Sequence, residues 1–360
     1  MNKLRTIILT LMLIFTFSAL TFAQNADKPI SKPTITWNLD GNWGWMWNMK
    51  TNTTDVNKVD KLYPNSSKFF VDQLIFGANA KYDKFTGNAS VIYKDKLSLY
   101  TANINYNPEL MKDFSLNVDF GRMINKWYTY TYQFGNDKSI NYTLSDHYNF
   151  INRNFDGLNL NFGYKEYANF SVATYKSIND GFEFQKGNKP NILLTGVFKY
   201  STITLGGLYS YQNNDLINSD TKVPDTILSR NIYGVNGNYD YTFKKLGTVS
   251  IGAEYLNLIK TNPGDTISNL FGETTYSGWI KLSPNVLKCV SLLIRYDSDR
   301  PINVPADNRN VLSTSLICSP IENTSFSLTF KNIINNNIPD INGVVKSNYQ
   351  ELWFNTGIKF

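Results

Sequence analysis

Two cysteines and one histidine are all that 360 residues offer to thiol, metal and imidazole chemistry. So few cysteines rule out a small secreted scaffold stapled by disulfides. The lone imidazole, His147, has no cluster of strong donors around it, which argues against a transition-metal site. No Ser-His-Asp spacing surrounds it and glycine-rich phosphate loops are absent, so neither enzyme activity nor a cofactor is expected. Charge is also sparse: Asp, Glu, Lys and Arg make up 18% of the chain, and a net charge of +6 is no indication of nucleic-acid binding. One further absence bears on the fold. Beyond residue 24 no apolar stretch approaches the roughly 20 residues that a membrane-crossing helix needs.

What is present begins at the amino terminus. Lys3 and Arg5 precede an uncharged apolar run from Thr6 to Leu20, and Thr21, Phe22 and Ala23 stand before Gln24. This three-part pattern reads as a cleaved secretory signal over residues 1–23, with no Cys behind it to carry a lipid anchor. Cleavage would remove two positive charges, Lys3 and Arg5. An exported chain without apolar helices can cross a membrane only as a closed barrel, because lipid offers its backbone no hydrogen-bond partners.

Residues 24–360 alternate with a period of two over many short segments. Ile35, Trp37, Leu39, Trp43, Trp45 and Trp47 share one face of the first. Phe70, Leu74, Phe76, Ala78, Ala80 and Tyr82 share a face of the second. Similar sets recur, such as Leu158, Leu160, Phe162 and Tyr164, and Val290, Leu292, Ile294 and Tyr296. The pattern predicts about 16 antiparallel strands, within a range of about 14 to 18. Tyrosines cluster at the ends of these segments (Tyr82, Tyr93, Tyr106, Tyr164, Tyr200, Tyr241), where rings with one apolar and one polar end would mark the headgroup level of a bilayer. The last segment carries Leu352, Phe354, Ile358 and Phe360 on one face. It resembles the assembly signal of bacterial outer-membrane barrels, which the barrel-assembly machinery reads in that family.

Connections between these segments alternate long and short, with one exception at Asp95–Lys96. Outer-membrane barrels have short periplasmic turns and long external loops, so the whole of 24–360 is expected to be an all-β transmembrane antiparallel β-barrel in the outer membrane of a Gram-negative-type bacterium. A soluble β-sandwich or propeller has no reason to alternate loop length in this way. Cys289 and Cys318 fall on neighbouring predicted strands with opposite parity, so free thiols are expected there in preference to a bridge.

A barrel of this size leaves an aqueous lumen, which something must narrow. The longest connection, residues 125–154, is the third external loop and the candidate constriction, with Lys126, Lys138 and Arg153 among its charges. An external cap or two extra strand segments is the other reading of that stretch. Strand parity turns Lys281, Arg295 and Asp297 toward the lumen, and Lys199 and Lys331 by the same logic. Charges lining a pore set its ion selectivity, although single inward charges also serve simply to solvate a wet wall. These features predict a porin-like channel for passive diffusion of small hydrophilic solutes or ions. The alternative is a closed barrel whose external loops act as a surface-binding or adhesion protein.

Val118-Asp119-Phe120-Gly121-Arg122, and Leu293-Ile294-Arg295-Tyr296-Asp297-Ser298-Asp299, resemble stretches of the phosphate-selective porin O and P superfamily. The resemblance implies a 16-stranded barrel assembled as a homotrimer. That family's anion selectivity relies on an arginine-rich channel. Here the mature chain has only Arg122, Arg153, Arg230, Arg295, Arg300 and Arg309, so the resemblance extends to architecture and not to phosphate.

Overall fold

The computed structural model describes residues 33–52, 67–93, 96–108, 112–124, 154–177, 191–217, 224–261, 271–301, 309–335 and 348–359. These form β1 (Thr34–Asn52), β2 (Ser67–Tyr82), β3 (Phe85–Tyr93), β4 (Leu97–Tyr106), β5 (Phe114–Ile124) and β6 (Asn154–Tyr164). There follow β7 (Ala168–Ser177), β8 (Asn191–Tyr200), β9 (Ile203–Ile217), β10 (Pro224–Phe243) and β11 (Gly247–Thr261). The last five are β12 (Phe271–Pro284), β13 (Val290–Pro301), β14 (Arg309–Ile321), β15 (Thr324–Asn335) and β16 (Asn348–Lys359). Each strand pairs antiparallel with its chain neighbours, and β1 closes the barrel on β16 through Trp45 opposite Phe354 and Trp47 opposite Leu352. Full closure removes every sheet edge, the condition for a sheet to survive in lipid. Sixteen strands at the usual spacing and tilt make a backbone tube about 30 Å across.

Apart from residues 94–96, the short connections lie at one rim. Asp83, Lys165 and Ser201 turn the chain there with positive φ, at 50°, 48° and 52°, in connections of two or three residues. The opposite rim holds the long connections, most of which lie outside the described residues, as does the whole of 125–153. The second of them spans only residues 94–96 between β3 and β4, the exception that the sequence pattern contained.

Alternation sorts the side chains. Phe76, Ile104, Phe120, Phe162, Phe170, Phe198, Leu205, Val235, Ile251, Ile294 and Leu316 are exposed on the outer face, an arrangement that needs a lipid solvent. Ring pairs Phe85–Tyr106, Phe114–Tyr164 and Tyr241–Phe243 stand near the short-turn rim, and Trp45–Phe69, Tyr209–Tyr233 and Tyr276–Tyr296 toward the other. Two aromatic girdles therefore bracket the apolar belt, where amphipathic rings suit the headgroup level. Leu352 and Phe354 of β16 share a face with outward Trp47 and Trp45 by register, and Ile358 follows on the same parity. Phe360 lies outside the described residues.

Two expectations need correction. Phe70 does not join Leu74 on the outer face. A register shift between Asn42 and Trp43 places Val71 opposite Trp43 and Gln73 opposite Asn42, which leaves an extra residue in β2. Such a bulge reverses parity beyond it. Phe69 and Val71 consequently face out, whereas Phe70 packs edge-on against Trp353 at 5.1 Å. The second concerns the thiols. Cys289 is not on a strand but ends the turn 285–289, where alternation no longer applies, and its carbonyl accepts from Ser319, the neighbour of Cys318. Both thiols are free in this structure, and their backbones are neighbours across the β13–β14 seam.

Candidate functional site in the barrel interior

The inner face alternates out of phase with the lipid face, so its composition was set by the residues between the apolar ones. Small hydroxyl and amide side chains line it and bond one another across strands. Ser90 and Thr101, Ser171 and Thr195, and Ser315 and Thr329 are direct cross-strand partners at 2.6, 2.6 and 2.8 Å. Asp119 of β5 accepts from Asn105 at 2.6 Å, Asn159 at 3.1 Å and Asn161 at 3.4 Å, a carboxylate held by amide donors on both neighbouring strands. Satisfied polar pairs of this kind let a buried wall stay polar without leaving groups unbonded.

On that wall charges gather at β11 to β16 and again around the short-turn cavity, and a further pair stands on the outer face. On β13 the Arg295 guanidinium reaches Asp297 with Nη2–Oδ1 at 2.9 Å and Nε–Oδ1 at 3.0 Å, and donates to Ser277 Oγ at 3.3 Å. Its Cζ lies 5.4 Å from the centre of the Trp279 ring, which rests across Gly252 where a Cβ would collide with the indole. Glu254 on β11 sits in the field of Arg295, and Lys331 on β15 acts on Asp297 while its ammonium stands 4.7 Å from the Trp353 ring. The register explains the gathering. Trp279, Arg295, Ser313, Lys331 and Glu351 are successive ladder partners across β12 to β16, and Glu254, Ser277 and Asp297 form the next row. Arg295 and Asp297 are each only 2% exposed at the side chain, so water screens this cluster little.

The outer pair is at the base of the long third connection, on the parity of outward Phe120 and Leu158. Arg122, near the end of β5, lies directly opposite Asp156 on β6. The pair is bidentate, Nε to Oδ1 at 2.9 Å and Nη2 to Oδ2 at 3.0 Å, and Arg122 also donates to the Leu99 carbonyl at 3.3 Å. Gly121, next to it, has φ 118° and would drive a Cβ into the Ala102 carbonyl, so the chain passes here in a conformation that suits glycine. The inner wall of β5 to β11 is apolar toward the long-loop rim: Met123, Phe155, Tyr175, Leu193, Ile232 and Leu256 belong to one buried cluster. Ile232 and Leu256 have no exposed surface although they face inward.

Toward the short-turn rim the interior opens. A cavity of about 680 Å³ is lined there by Lys165, Lys199, Lys281, Glu166, Asp240 and Asn238, among others. Lys281 interacts with Asp240, which accepts from Asn238 at 2.7 Å, and Lys165 stands 3.4 Å from Asp113. Of the residues singled out in the sequence, Lys281 thus lines an open cavity. Arg295 and Asp297 face inward but are buried against each other. Lys126, Lys138 and Arg153 lie outside the described residues. Sequence reasoning missed Glu254, Trp279, Asp240 and Asp156. Strand parity places Glu254 inward between Ala253 and Tyr255, so the signal was present, but its partners on other strands needed the register. Among the described residues no group of three His, Cys, Asp or Glu side chains could hold a metal ion.

No protein-family model matches this sequence, and no curated protein matches it. Solved structures do match. The anion-selective porin from Comamonas acidovorans superposes with a TM-score of 0.63 at 7% identity, over 91% of this chain and all, 100%, of that one. The fold is that of the outer-membrane porins. OprB of Pseudomonas putida gives 0.62 at 10% identity, covering 91% of this chain and 94% of its own. A trimer form of OmpT from Vibrio cholerae gives 0.61 at 12% identity, covering 92% and 100%. At such identities the likeness speaks for the porin barrel and leaves solute and selectivity to the residues of this chain.

Proposed function

We propose that this chain is an outer-membrane porin-like channel for passive diffusion of small hydrophilic solutes or ions. The observation that carries the reading is the closed 16-strand wall, apolar outside and polar inside, opening at its short-turn end into the cavity around Lys199, Lys281 and Asp240. A polar lumen in a lipid-facing tube has no role in packing and favours passage of water-soluble molecules. Residues 1–23 act as its cleaved signal, and residues 24–360 form the barrel. The connection 125–154 narrows the lumen, anchored at its base by the Arg122–Asp156 pair. Phosphate selectivity is no part of the proposal, because Arg295 is engaged by Asp297 and Arg122, paired with Asp156, has the outward parity of Phe120, so neither contributes to a free anion ladder. The trimer form of OmpT supports a homotrimer here too. Bilayer lipid, the barrel-assembly machinery acting on Leu352, Phe354, Ile358 and Phe360, and the permeating solutes are its proposed partners.

The second reading, a closed barrel that works through its external loops in surface binding or adhesion, is favoured by one observation. Ile232, Leu256, Arg295 and Lys331 are fully or almost fully buried inside the wall, so part of the interior is packed. Conductance of the purified protein in planar bilayers separates the two. Stepwise ion current from folded barrel is expected, and a larger step after deletion within 125–154. Folded protein that inserts without current refutes the channel.

A further inference from the structure

The two free thiols are placed for a covalent link that the channel reading does not use. Val290 lies opposite Cys318 in the β13–β14 ladder, and the Ser319 N–H donates to the Cys289 carbonyl at 2.7 Å, so the cysteines are one residue from direct opposition on adjacent chain segments. Direct partners lie about 5 Å apart and one residue of stagger adds about 3.4 Å along the strand. Together these put the two Cα atoms about 6 Å apart, within the span a disulfide bridges. Regular alternation would turn the two side chains to opposite faces. The turn 285–289 interrupts that alternation, since Leu287 N–H bonds the Pro284 carbonyl and Val290 N–H bonds the Leu287 carbonyl, and Cys289 at its end is close enough for its thiol to interact with that of Cys318. Neither thiol is buried in the wall, and the turn belongs to the short-turn rim.

We propose that Cys289 and Cys318 form an intramolecular disulfide that staples β13 to β14 at the periplasmic rim. The two S–H bonds are lost and one S–S bond forms. Two electrons and two protons pass to the disulfide of a periplasmic thiol-disulfide oxidant, which leaves as a dithiol. The bond has a structural task at this point. The β14–β15 ladder breaks register between Cys318 and Ile321, so the rim end of β14 has fewer strand hydrogen bonds on that side, and the staple fixes it to β13, the strand that carries Arg295 and Asp297. The inference requires an oxidising compartment but not transport, so loss of the channel reading would leave it intact.

The test is thiol counting on protein isolated from outer membranes without reductant, unfolded in detergent and treated with a maleimide. No labelled cysteine is expected before reduction, and both Cys289 and Cys318 are expected to be labelled after it, with a monomer band on a non-reducing gel. In Cys318→Ser, Cys289 should label without reduction, a control that does not depend on the wild-type geometry. Two labelled cysteines in the unreduced wild type, or a disulfide-linked dimer in place of a monomer, would overturn the proposal.

Discussion

Replacing Arg295 by alanine tests whether the interior cluster is an ion pair in a dry wall or a pair of solvated pore charges. The contact to Asp297 is 2.9 Å and both side chains are 2% exposed. At an effective dielectric constant of about 20 the gross attraction at that distance is about 6 kcal/mol. Desolvation offsets much of this, but removing one partner leaves the other charge buried and alone, which costs about 3–5 kcal/mol. Asp297 would keep Ser277 and the field of Lys331, so the lower half of that range is expected. About 3 kcal/mol is a factor of about a hundred in the folded-to-unfolded ratio. The assay is reversible urea unfolding in detergent micelles, followed by the separation of folded and unfolded bands on an unheated gel. Arg295→Met with Asp297→Leu should recover most of the loss, because an apolar pair of similar volume carries no desolvation cost. A single alanine variant within about 0.5 kcal/mol of the wild type would show that water reaches the cluster, and the dry-wall argument would fail.

Three further outcomes are expected. Arg122→Ala and Asp156→Ala should show a coupling of about 1–2 kcal/mol in a double-mutant cycle, as a charge-assisted bidentate pair does, and a coupling below about 0.3 kcal/mol would remove it as an anchor. Gly121→Ala should destabilise the barrel by about 1–3 kcal/mol through its positive φ, read in the same urea titration, and an unchanged midpoint would mean the β4–β5 contact relaxes freely. Lys281→Glu changes the cavity by two charges, worth about 1 kcal/mol at about 8 Å in water before salt screening. Reversal potentials in a salt gradient should therefore move a few-fold toward cations, and no movement would place Lys281 off the permeation path.

The alternation of Leu352, Phe354 and Ile358, the absence of long apolar runs after residue 24 and the alternating loop lengths make a closed barrel legible in the sequence. Each is a local property: the face a side chain takes depends on its position in its own strand. Parity placed Leu158 and Phe162 outward and Arg295 inward. It failed at Phe70, where one extra residue in β2 reversed the faces, and at Cys289, where the strand had given way to a turn. A bulge has no mark in a single sequence, because the extra residue exists only relative to its partner strand.

The site was less legible for the same reason. Arg295 and Asp297 are two residues apart and could be paired on paper, but Trp279, Lys331 and Glu254 join them from three other strands. The register of β11 to β15 brings those rows together. Arg122 meets Asp156 across a connection of some thirty residues, and nothing in either strand alone names the other. The sequence by itself determined the class of solvent on each face and brought the number of crossings to about 16, because burial period and turn chemistry act over a few residues. Only the tertiary structure decided which inward charges neutralise one another and which, like Lys281, line open space. That choice depends on distances between strands far apart in the chain.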